Sequence, residues 1–376
     1  MKSRISPGVA ALVVVIACST VLVAYWRGLV RQGKKTEMAK MKGGGSMPPP
    51  PLTGLSTVDV TTLAGNGEAG LQDGKGSAAR FDGPSAVAAG PGGVVYVCDS
   101  RNHRLRQVTA AGEVTTVAGT GPHGSVVGGF QDGPAAAARL WNPSGIVALP
   151  NGTLYFTDTG NHRVRFLKAG QVGTLAGGDT PKDEAGIPTG GFADGKGPAA
   201  RFRFPTGLCR SPEGSLLVVD TANRKLRKVT LQGAVSTVAD LGAAGAHAPF
   251  GVTVGPDGVY VTDPGSARVF VVRGTAVSVV ADTPAGPTWK LPTGIAFGTQ
   301  LYLADAGAHC LLTKQQGAPV LLAGVVPVQA PWATFIDGAG DKCGFACPSA
   351  LALSPDNSAL YVADYGNCAI RVVRWR

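Results

Sequence analysis

The sequence predicts an all-β protein: a six-bladed β-propeller closed by an N-terminal strand and preceded by a single transmembrane helix. Glycine (55 residues) and proline (27 residues) are abundant in the 376-residue chain, and both disfavour long helices while suiting short strands and tight turns. A pattern of four short strands recurs within residues 58–376, and a long uncharged segment lies near the N-terminus. Only 15% of the residues are charged, which argues against a highly charged disordered chain.

The N-terminal segment 9–26 contains no charged side chain. As a helix rising ~1.5 Å per residue it would span about 27 Å, close to the ~30 Å hydrocarbon core of a bilayer. Tyr25 and Trp26 end the segment, and amphipathic aromatic residues favour the membrane interface. We therefore predict a signal-anchor helix after a basic stub at 1–8; a cleaved signal peptide is the competing interpretation.

The side of the membrane stays open. Six Lys and Arg residues follow the helix within 27–42, which places the folded domain in the cytosol by the positive-inside rule. A glycosylation sequon at Asn151 indicates the secretory or lumenal side instead. Residues 27–57 are basic and then rich in glycine and proline, which is typical of a linker that holds a domain away from a surface.

The positive charge is concentrated in the N-terminal arm. The formal net charge is +10, but residues 1–42 hold eight Lys and Arg residues against one Glu, so residues 43–376 keep only +3. A domain that neutralises phosphate groups carries its excess positive charge on its own surface. The charge distribution therefore disfavours nucleic acid as a partner.

Each repeat contains a proline-led strand A, a strand B that ends in aspartate, a turn, a strand C and, in five repeats, a strand D. The aspartates are Asp99, Asp158, Asp220, Asp263, Asp305 and Asp364. The sixth repeat stops after strand C, and residues 60–64 match the missing strand D. We predict that this N-terminal strand completes the sixth blade, because closure of the ring removes exposed sheet edges.

The sequences after four of these aspartates, Asp-Ser-Arg-Asn-His-Arg-Leu-Arg at 99–106 and its counterparts at 158–165, 220–227 and 364–371, share one pattern. With the Pro-x-Gly before it and the Val-Ala-Gly after it, the repeat resembles the NHL family of β-propellers over nearly all of residues 58–376. The resemblance implies a monomeric propeller that acts as a protein-interaction or ligand-binding scaffold. Blades 4 and 5 depart from the pattern.

Charged residues recur in two motifs. Asp99 is predicted to lie opposite Arg104 across the B–C turn, which leaves Arg106 on the same face without a partner. An Asp-Gly dipeptide precedes blades 1, 2, 3 and 6, and the same blades carry this second arginine. We predict the ion pairs Asp73–Arg106, Asp132–Arg165, Asp194–Arg227 and Asp337–Arg371. Their role is interpreted as structural, because a half-buried charge needs a partner.

The six A strands contain no Asp, Glu or His, the side chains that a catalytic metal needs. The sequence therefore favours a binding protein without metal or other cofactor. A propeller lyase or lactone hydrolase, which this fold resembles, is the first alternative, and an RNA-binding NHL domain is the second.

Hydroxyl side chains follow the leading proline in five of the six A strands: Ser85, Ser144, Thr206, Thr293 and Ser349. They are candidates for a collar at the channel mouth that binds a small polar ligand. The alternative is that these hydroxyls bond to the backbone at strand starts.

The loops between strands D and A differ in length, so specificity is expected to reside there. Trp332 lies on one of them without a counterpart in other repeats, and it is either a partner contact or a lid over the loop's own core. Hydrophobic residues that recur two positions before the Asp-Gly motif are predicted to be packed: Leu71, Phe130, Phe192 and Phe335.

Three cysteines, Cys343, Cys347 and Cys368, fall on loops and turns at one end of the propeller. A Cys343–Cys347 disulfide or a bridge to Cys368 is predicted for an oxidising compartment, and a zinc site is the alternative.

Overall fold

The computed structural model describes residues 58–123, 127–184, 186–280, 289–315, 318–324 and 334–376. The predicted membrane segment 9–26, the linker 27–57 and Trp332 lie outside these residues. Within the described ranges, no helix is long and apolar enough to cross a membrane.

The described residues form six antiparallel sheets built from consecutive segments of chain. The first strand, β1 (Val58–Ala64), belongs to the sheet of blade 6. Blade 1 contains β2 (Gly74–Lys75), β3 (Pro84–Ala89), β4 (Val95–Asp99), β5 (Arg104–Val108) and β6 (Glu113–Ala118). Blade 2 contains β7 (Gly133–Pro134), β8 (Pro143–Ala148), β9 (Leu154–Asp158), β10 (Arg163–Lys168) and β11 (Gln171–Ala176). Blade 3 contains β12 (Gly195–Lys196), β13 (Pro205–Arg210), β14 (Leu216–Asp220), β15 (Lys225–Val229) and β16 (Ala234–Asp240).

The remaining three blades follow in the same order. Blade 4 contains β17 (Val252–Gly255), β18 (Gly258–Asp263), β19 (Arg268–Arg273) and β20 (Ala276–Val279). Blade 5 contains β21 (Pro292–Phe297), β22 (Leu301–Asp305), β23 (Cys310–Gln315) and β24 (Ala318–Ala323). Blade 6 contains β25 (Gly338–Ala339), β26 (Pro348–Leu353), β27 (Ala359–Asp364) and β28 (Ala369–Trp375). The described helices are 3₁₀ turns: Gly76–Ala78, Pro91–Gly93, Ser100–Asn102, Thr159–Asn161, Gly197–Ala199, Thr221–Asn223 and Tyr365–Asn367.

The six-bladed ring and its closure are confirmed. Strand β1 pairs antiparallel with β28, with Val60 opposite Val373 and Thr61 opposite Val372. The first described strand of the chain therefore supplies strand D of the blade that the last strand belongs to, and its backbone groups satisfy an edge that would otherwise stay unpaired.

Blades 1, 2, 3 and 6 have a fifth, outer strand that the four-strand repeat does not predict. The residues at the Asp-Gly motif pair with the start of strand D, as Gly74 does with Val114 in blade 1 and Gly195 with Val235 in blade 3. The loop that carries the motif thus becomes part of the sheet that follows it. We call these four segments the Asp-Gly loops.

The hydrophobic core lies between neighbouring blades. One cluster joins Cys98 and Leu105 of blade 1 to Ile146 and Phe156 of blade 2, and each is at most 5% exposed. Comparable clusters join the other neighbours around the ring, including blade 6 to blade 1. Burial of side chains from both faces therefore stabilises each blade only in the presence of its neighbours.

Glycine in the Pro-x-Gly motif allows the inner strands to touch. A Cβ atom on Gly145 would lie 2.2 Å from the carbonyl oxygen of Thr206 in the next blade, and one on Gly207 would lie 2.2 Å from that of Phe250. Only a residue without a side chain fits such an approach of two backbones.

Candidate functional site

The arginine on strand C of blade 1 holds two carboxylates at once. Arg106 is fully buried, and its Nη1 and Nη2 atoms lie 2.7 Å from carboxylate oxygens of Asp99 and Asp73, respectively. The predicted pairing of Asp99 with Arg104 is wrong, although the two residues do lie opposite each other across the turn. The Arg104 guanidinium instead donates to the carbonyl oxygens of Asn102, His103 and Gly121.

The same double pairing recurs in three further blades. Nη1 contacts the aspartate that ends strand B and Nη2 contacts the Asp-Gly aspartate, at distances from 2.6 to 2.9 Å: Arg165 with Asp158 and Asp132, Arg227 with Asp220 and Asp194, Arg371 with Asp364 and Asp337. The Asp-Gly carboxylates also accept hydrogen bonds from a threonine on strand D, such as Thr116 for Asp73. Each Asp-Gly loop is therefore fixed to its own blade by charge-assisted hydrogen bonds.

Blades 4 and 5 replace this arginine with Phe270 and Leu312, and their aspartates use other donors. The carboxylate of Asp263 accepts bonds from the backbone amides of His247 and Ala248 and from the hydroxyl of Ser266. The B-strand aspartate is thus a backbone anchor in every blade. Burial raises the pKa of Asp220 in blade 3 to about 6, although Asn223 and Arg227 oppose the shift.

The hydroxyls proposed as a channel-mouth collar bond to the protein's own backbone. Thr206 donates to Phe250 at 3.0 Å, Thr293 to Pro348 at 2.8 Å and Ser349 to Pro84 at 3.0 Å, each on the next blade. Ser85 likewise donates to Pro143 at 3.2 Å, and Ser144 donates to Asn142 within its own segment. Four of these five hydroxyls thus join neighbouring blades, and all five are engaged by backbone carbonyl oxygens.

Histidines at the end of the B–C turn form a second set of links between blades. His103, His162 and His309 adopt left-handed backbone, and each Nδ1 accepts a bond from the amide before the next proline, in Asn142, Phe204 and Cys347. The Nε2 atom of His162 lies 2.9 Å from the carbonyl oxygen of Pro188. Burial lowers the pKa of His162 to about 4, which keeps the ring neutral as this pattern requires.

Cys343, Cys347 and Cys368 are free in this structure, as are the other cysteines in the described part of the chain, so the disulfide expected for an oxidising compartment is not formed here. Burial raises the pKa of the Cys343 and Cys368 thiols to about 11. The described ranges also contain no cluster of three or more His, Cys, Asp or Glu residues that could hold a metal ion.

Three of the residues predicted to be packed are exposed. Phe130, Phe192 and Phe335 are 44%, 52% and 38% exposed, and the ring of each lies within 5.1 Å of the guanidinium carbon of the arginine that pins its loop. The ring of Phe192 lies 4.8 Å from the guanidinium carbon of Arg227, and the ring of the buried Phe202 lies 5.1 Å from the same atom. Aromatic residues over a cation leave their outer faces open to solvent.

A cleft of about 530 Å³ opens between the loop before blade 2 and the loop before blade 3. Residues 127–130 and Trp141 line one side, and Arg163 of strand β10 lies between the two sides. The other side is lined by Gly178, Asp179, Thr180, Lys182, Gly186 and Pro188. We call this feature the loop cleft. The unequal lengths of the D–A loops are the only sequence feature that points to the loop cleft. The loop segments that form its walls differ from blade to blade, so the comparison of repeats does not predict it.

The loop cleft has a framework of short, specific contacts. Asn161 donates to the carbonyl oxygen of Gly129 at 2.7 Å and holds the first loop, while His162 holds Pro188 of the second. Gly160 lies against Trp141 so closely that a Cβ there would be 2.4 Å from the indole ring. The walls are therefore fixed to the B–C turn of blade 2.

Charge and aromatic surface meet at Arg163. The ring of Phe130 lies 4.1 Å from its guanidinium carbon, Nη1 donates to the carbonyl oxygen of Gly177 at 2.6 Å, and Nη2 pairs with Asp179. The Asp179 side chain is 96% exposed, whereas that of Arg163 is 11% exposed. The cleft thus presents a fixed cation, an aromatic side chain and a solvent-exposed carboxylate.

Comparisons with known proteins agree with this architecture. The NHL repeat profile matches residues 81–108 and 140–165. The chloroplastic protein SUPPRESSOR OF QUENCHING 1 of Arabidopsis thaliana is 32% identical over 53% of this chain and 18% of its own length. NHL repeat-containing protein 2 of Gallus gallus is 25% identical over 86% of this chain and 43% of its own length. The chain therefore matches less than half the length of these curated relatives.

Among solved structures, an auxiliary nutrient binding protein from Bacteroides ovatus superimposes with a TM-score of 0.62 and 14% identity, covering 85% of this chain and 77% of the other. At that identity the likeness establishes the fold alone. Together, the repeat motif, the six closed blades and these relatives identify the chain as an NHL-repeat β-propeller protein.

Proposed function

We propose that this chain is a membrane-tethered propeller that binds a small polar ligand in the loop cleft. In this proposal residues 9–26 are the anchor, residues 27–57 are the spacer and residues 58–376 are the binding domain. The cleft is the observation that carries the proposal, because it combines a concave shape with converging polar and aromatic groups.

The rigidity of the cleft supports a binding role. Both loops that line it are Asp-Gly loops, and their aspartates pair with the fully buried Arg165 and Arg227. A site whose walls are already fixed loses less conformational entropy when a ligand arrives. The Bacteroides ovatus protein, an auxiliary nutrient binding protein with the same fold, supports the proposal by analogy.

A ligand screen with a cleft-blocking variant tests the proposal. Val127 lines the cleft and is 47% exposed, so Val127→Trp is expected to fill the space without disturbing the core. Val279→Trp is the matched control, since Val279 is 36% exposed on blade 4, away from the cleft. The melting temperatures of all three proteins are measured with sugars, sugar acids, amino acids and short peptides.

At least one compound is expected to raise the melting temperature of the unchanged chain and of the Val279→Trp variant, but not of Val127→Trp. If no compound in the panel stabilises the unchanged protein more than the blocked one, the cleft is not the ligand site.

Protease protection tests the tether and its side. The full chain is synthesised in the presence of sealed vesicles and is expected to remain bound to them. A variant that lacks residues 9–26 is expected to appear in the soluble fraction. Digestion of the propeller from outside the vesicles would indicate the cytosolic side, and protection would indicate the lumenal side. Recovery of the full chain in the soluble fraction, or of a mature chain that begins after Trp26, would contradict the anchor.

A further inference from the structure

We infer that the loop cleft recognises a carboxylate carried on a six-membered ring with an apolar face, and that Asp179 occupies the position of this carboxylate in the ligand-free protein. The inference rests on the proposed function and adds the chemical class of the ligand.

Arg163 is held as a preorganised carboxylate receptor. One face of its guanidinium is covered by Phe130 at 4.1 Å, and Nη1 is committed to the carbonyl oxygen of Gly177 at 2.6 Å. The remaining edge, at Nη2, faces the cleft and contacts Asp179. An arginine fixed in this way loses little entropy when it binds a carboxylate through a charge-assisted hydrogen bond from Nη2.

The fold does not require a carboxylate at this position. The counterpart of Arg163 in blade 1 is Arg104, whose guanidinium is satisfied by three backbone carbonyl oxygens. Asp179 lies on the variable loop and its side chain is 96% exposed. Because the Asp179 side chain remains almost fully hydrated while it contacts Arg163, a ligand carboxylate can replace it at small cost.

The surroundings of Arg163 select for a ring and for negative charge. Phe130 is 44% exposed and borders the cleft, so its ring offers a flat apolar surface beside the guanidinium. Lys182 also lines the cleft, so displacement of Asp179 leaves two cations facing the ligand. The cavity of about 530 Å³ accommodates a single ring with its substituents. A sugar acid and an aromatic acid share this chemistry.

The test is a calorimetric titration of the full chain with D-glucuronate, benzoate and D-glucose. At least one of the two acids is expected to bind, with an affinity that falls as salt is added, and D-glucose at least about tenfold more weakly. A preference for glucuronate or for benzoate identifies the ring. Asp179→Asn is expected to raise the affinity for the acid about twofold to fivefold, because it removes a competitor worth up to ~1 kcal/mol.

Asp257→Asn is the matched control. Asp257, in the A–B turn of blade 4, pairs with Arg273 at the end of strand C, and the two side chains are 46% and 51% exposed. This variant removes a carboxylate from an ion pair without touching the cleft and is expected to leave the affinity unchanged. Phe130→Leu is expected to weaken binding of the acid about threefold or more, through loss of the flat surface.

Two results with the Asp179→Asn variant would overturn the inference. One is an unchanged or reduced affinity for the acids in Asp179→Asn, which would mean that Asp179 is not their competitor. The other is binding of D-glucose as tight as that of the acids, weakened in Asp179→Asn, which would make Asp179 an acceptor for hydroxyl groups. If neither acid binds while another compound is blocked by Val127→Trp, only the ligand class is refuted. If no compound distinguishes that variant, the proposed function fails as well.

Discussion

Loss of the arginine from a buried carboxylate pair is expected to destabilise the propeller far more than loss of its loop partner. In blade 3, Arg227 and Asp220 are both fully buried, with Nη1 2.6 Å from the carboxylate. Arg227→Met would leave Asp220 buried without its counter-charge, and this costs about 3–5 kcal/mol of unfolding free energy. Asp194 is 48% exposed, so Asp194→Asn is expected to cost about 1 kcal/mol.

A double variant separates charge burial from packing. Asp220→Asn combined with Arg227→Met leaves no charge buried at the site, and we expect it to regain at least about half of the loss caused by Arg227→Met alone. Blade 4 keeps its buried Asp263 without an arginine because the backbone amides of His247 and Ala248 and the hydroxyl of Ser266 bind the carboxylate there.

Urea unfolding followed by tryptophan fluorescence at pH 7 measures these differences. Equal losses for Arg227→Met and Asp194→Asn, within about 0.5 kcal/mol, would refute the argument that burial of the carboxylate determines the cost. A double variant that is less stable than Arg227→Met would refute it as well.

Three further outcomes are expected. The folded-state pKa of His162, about 4, lies below the unfolded value near 6.5, so the unfolded chain takes up the proton first and stability falls as pH drops through this window. His162→Gln is expected to abolish up to about 3 kcal/mol of that pH dependence, and identical pH profiles would contradict the link to Phe204. Gly207→Ala is expected to lower the free energy of unfolding by about 1–3 kcal/mol, because the alanine Cβ would lie 2.2 Å from a backbone oxygen. Thermal unfolding measures this loss, and an unchanged melting temperature would count against close contact between the inner strands. Val60→Ala in the closing strand is expected to lower the free energy of unfolding by about 2 kcal/mol, because Val60 is fully buried. Thr61→Ala, at an exposed position of the same strand, is expected to change it by no more than about 0.5 kcal/mol. Equal losses would argue against closure through β1.

Much of the fold follows from periodicity in the chain. The position of Val60–Ala64 outside any complete repeat predicts the closing strand, since a strand D without its own blade has a single place to pair. The Asp-Gly motif and the second arginine occur in the same blades, and the pairs of Arg106 and Arg227 with loop aspartates are present in the structure. The Asp-Gly motif and its arginine recur from blade to blade, so an alignment of the repeats within the chain identifies every predicted pair.

The structure differs from the predicted ion pairs where a carboxylate lies within reach of two arginines. Asp99 and Arg104 are opposite in register, but Arg106 takes the carboxylate because its guanidinium also reaches Asp73, and one cation between two anions satisfies both carboxylates. Spacing along strands defines which residues share a face, not which of two arginines a carboxylate binds.

Repetition within the chain was enough to predict the number of blades, their closure and the anchoring of the Asp-Gly loops, because those interactions form within one blade and recur. The loop cleft could not be predicted in this way. Phe130 and Arg163 have counterparts in other blades, but Trp141 and the segment that carries Asp179 do not, and these groups meet only because two neighbouring blades bring their loops together at one rim. Contacts that involve non-recurring segments depend on packing in three dimensions, which the spacing of residues along the chain does not encode.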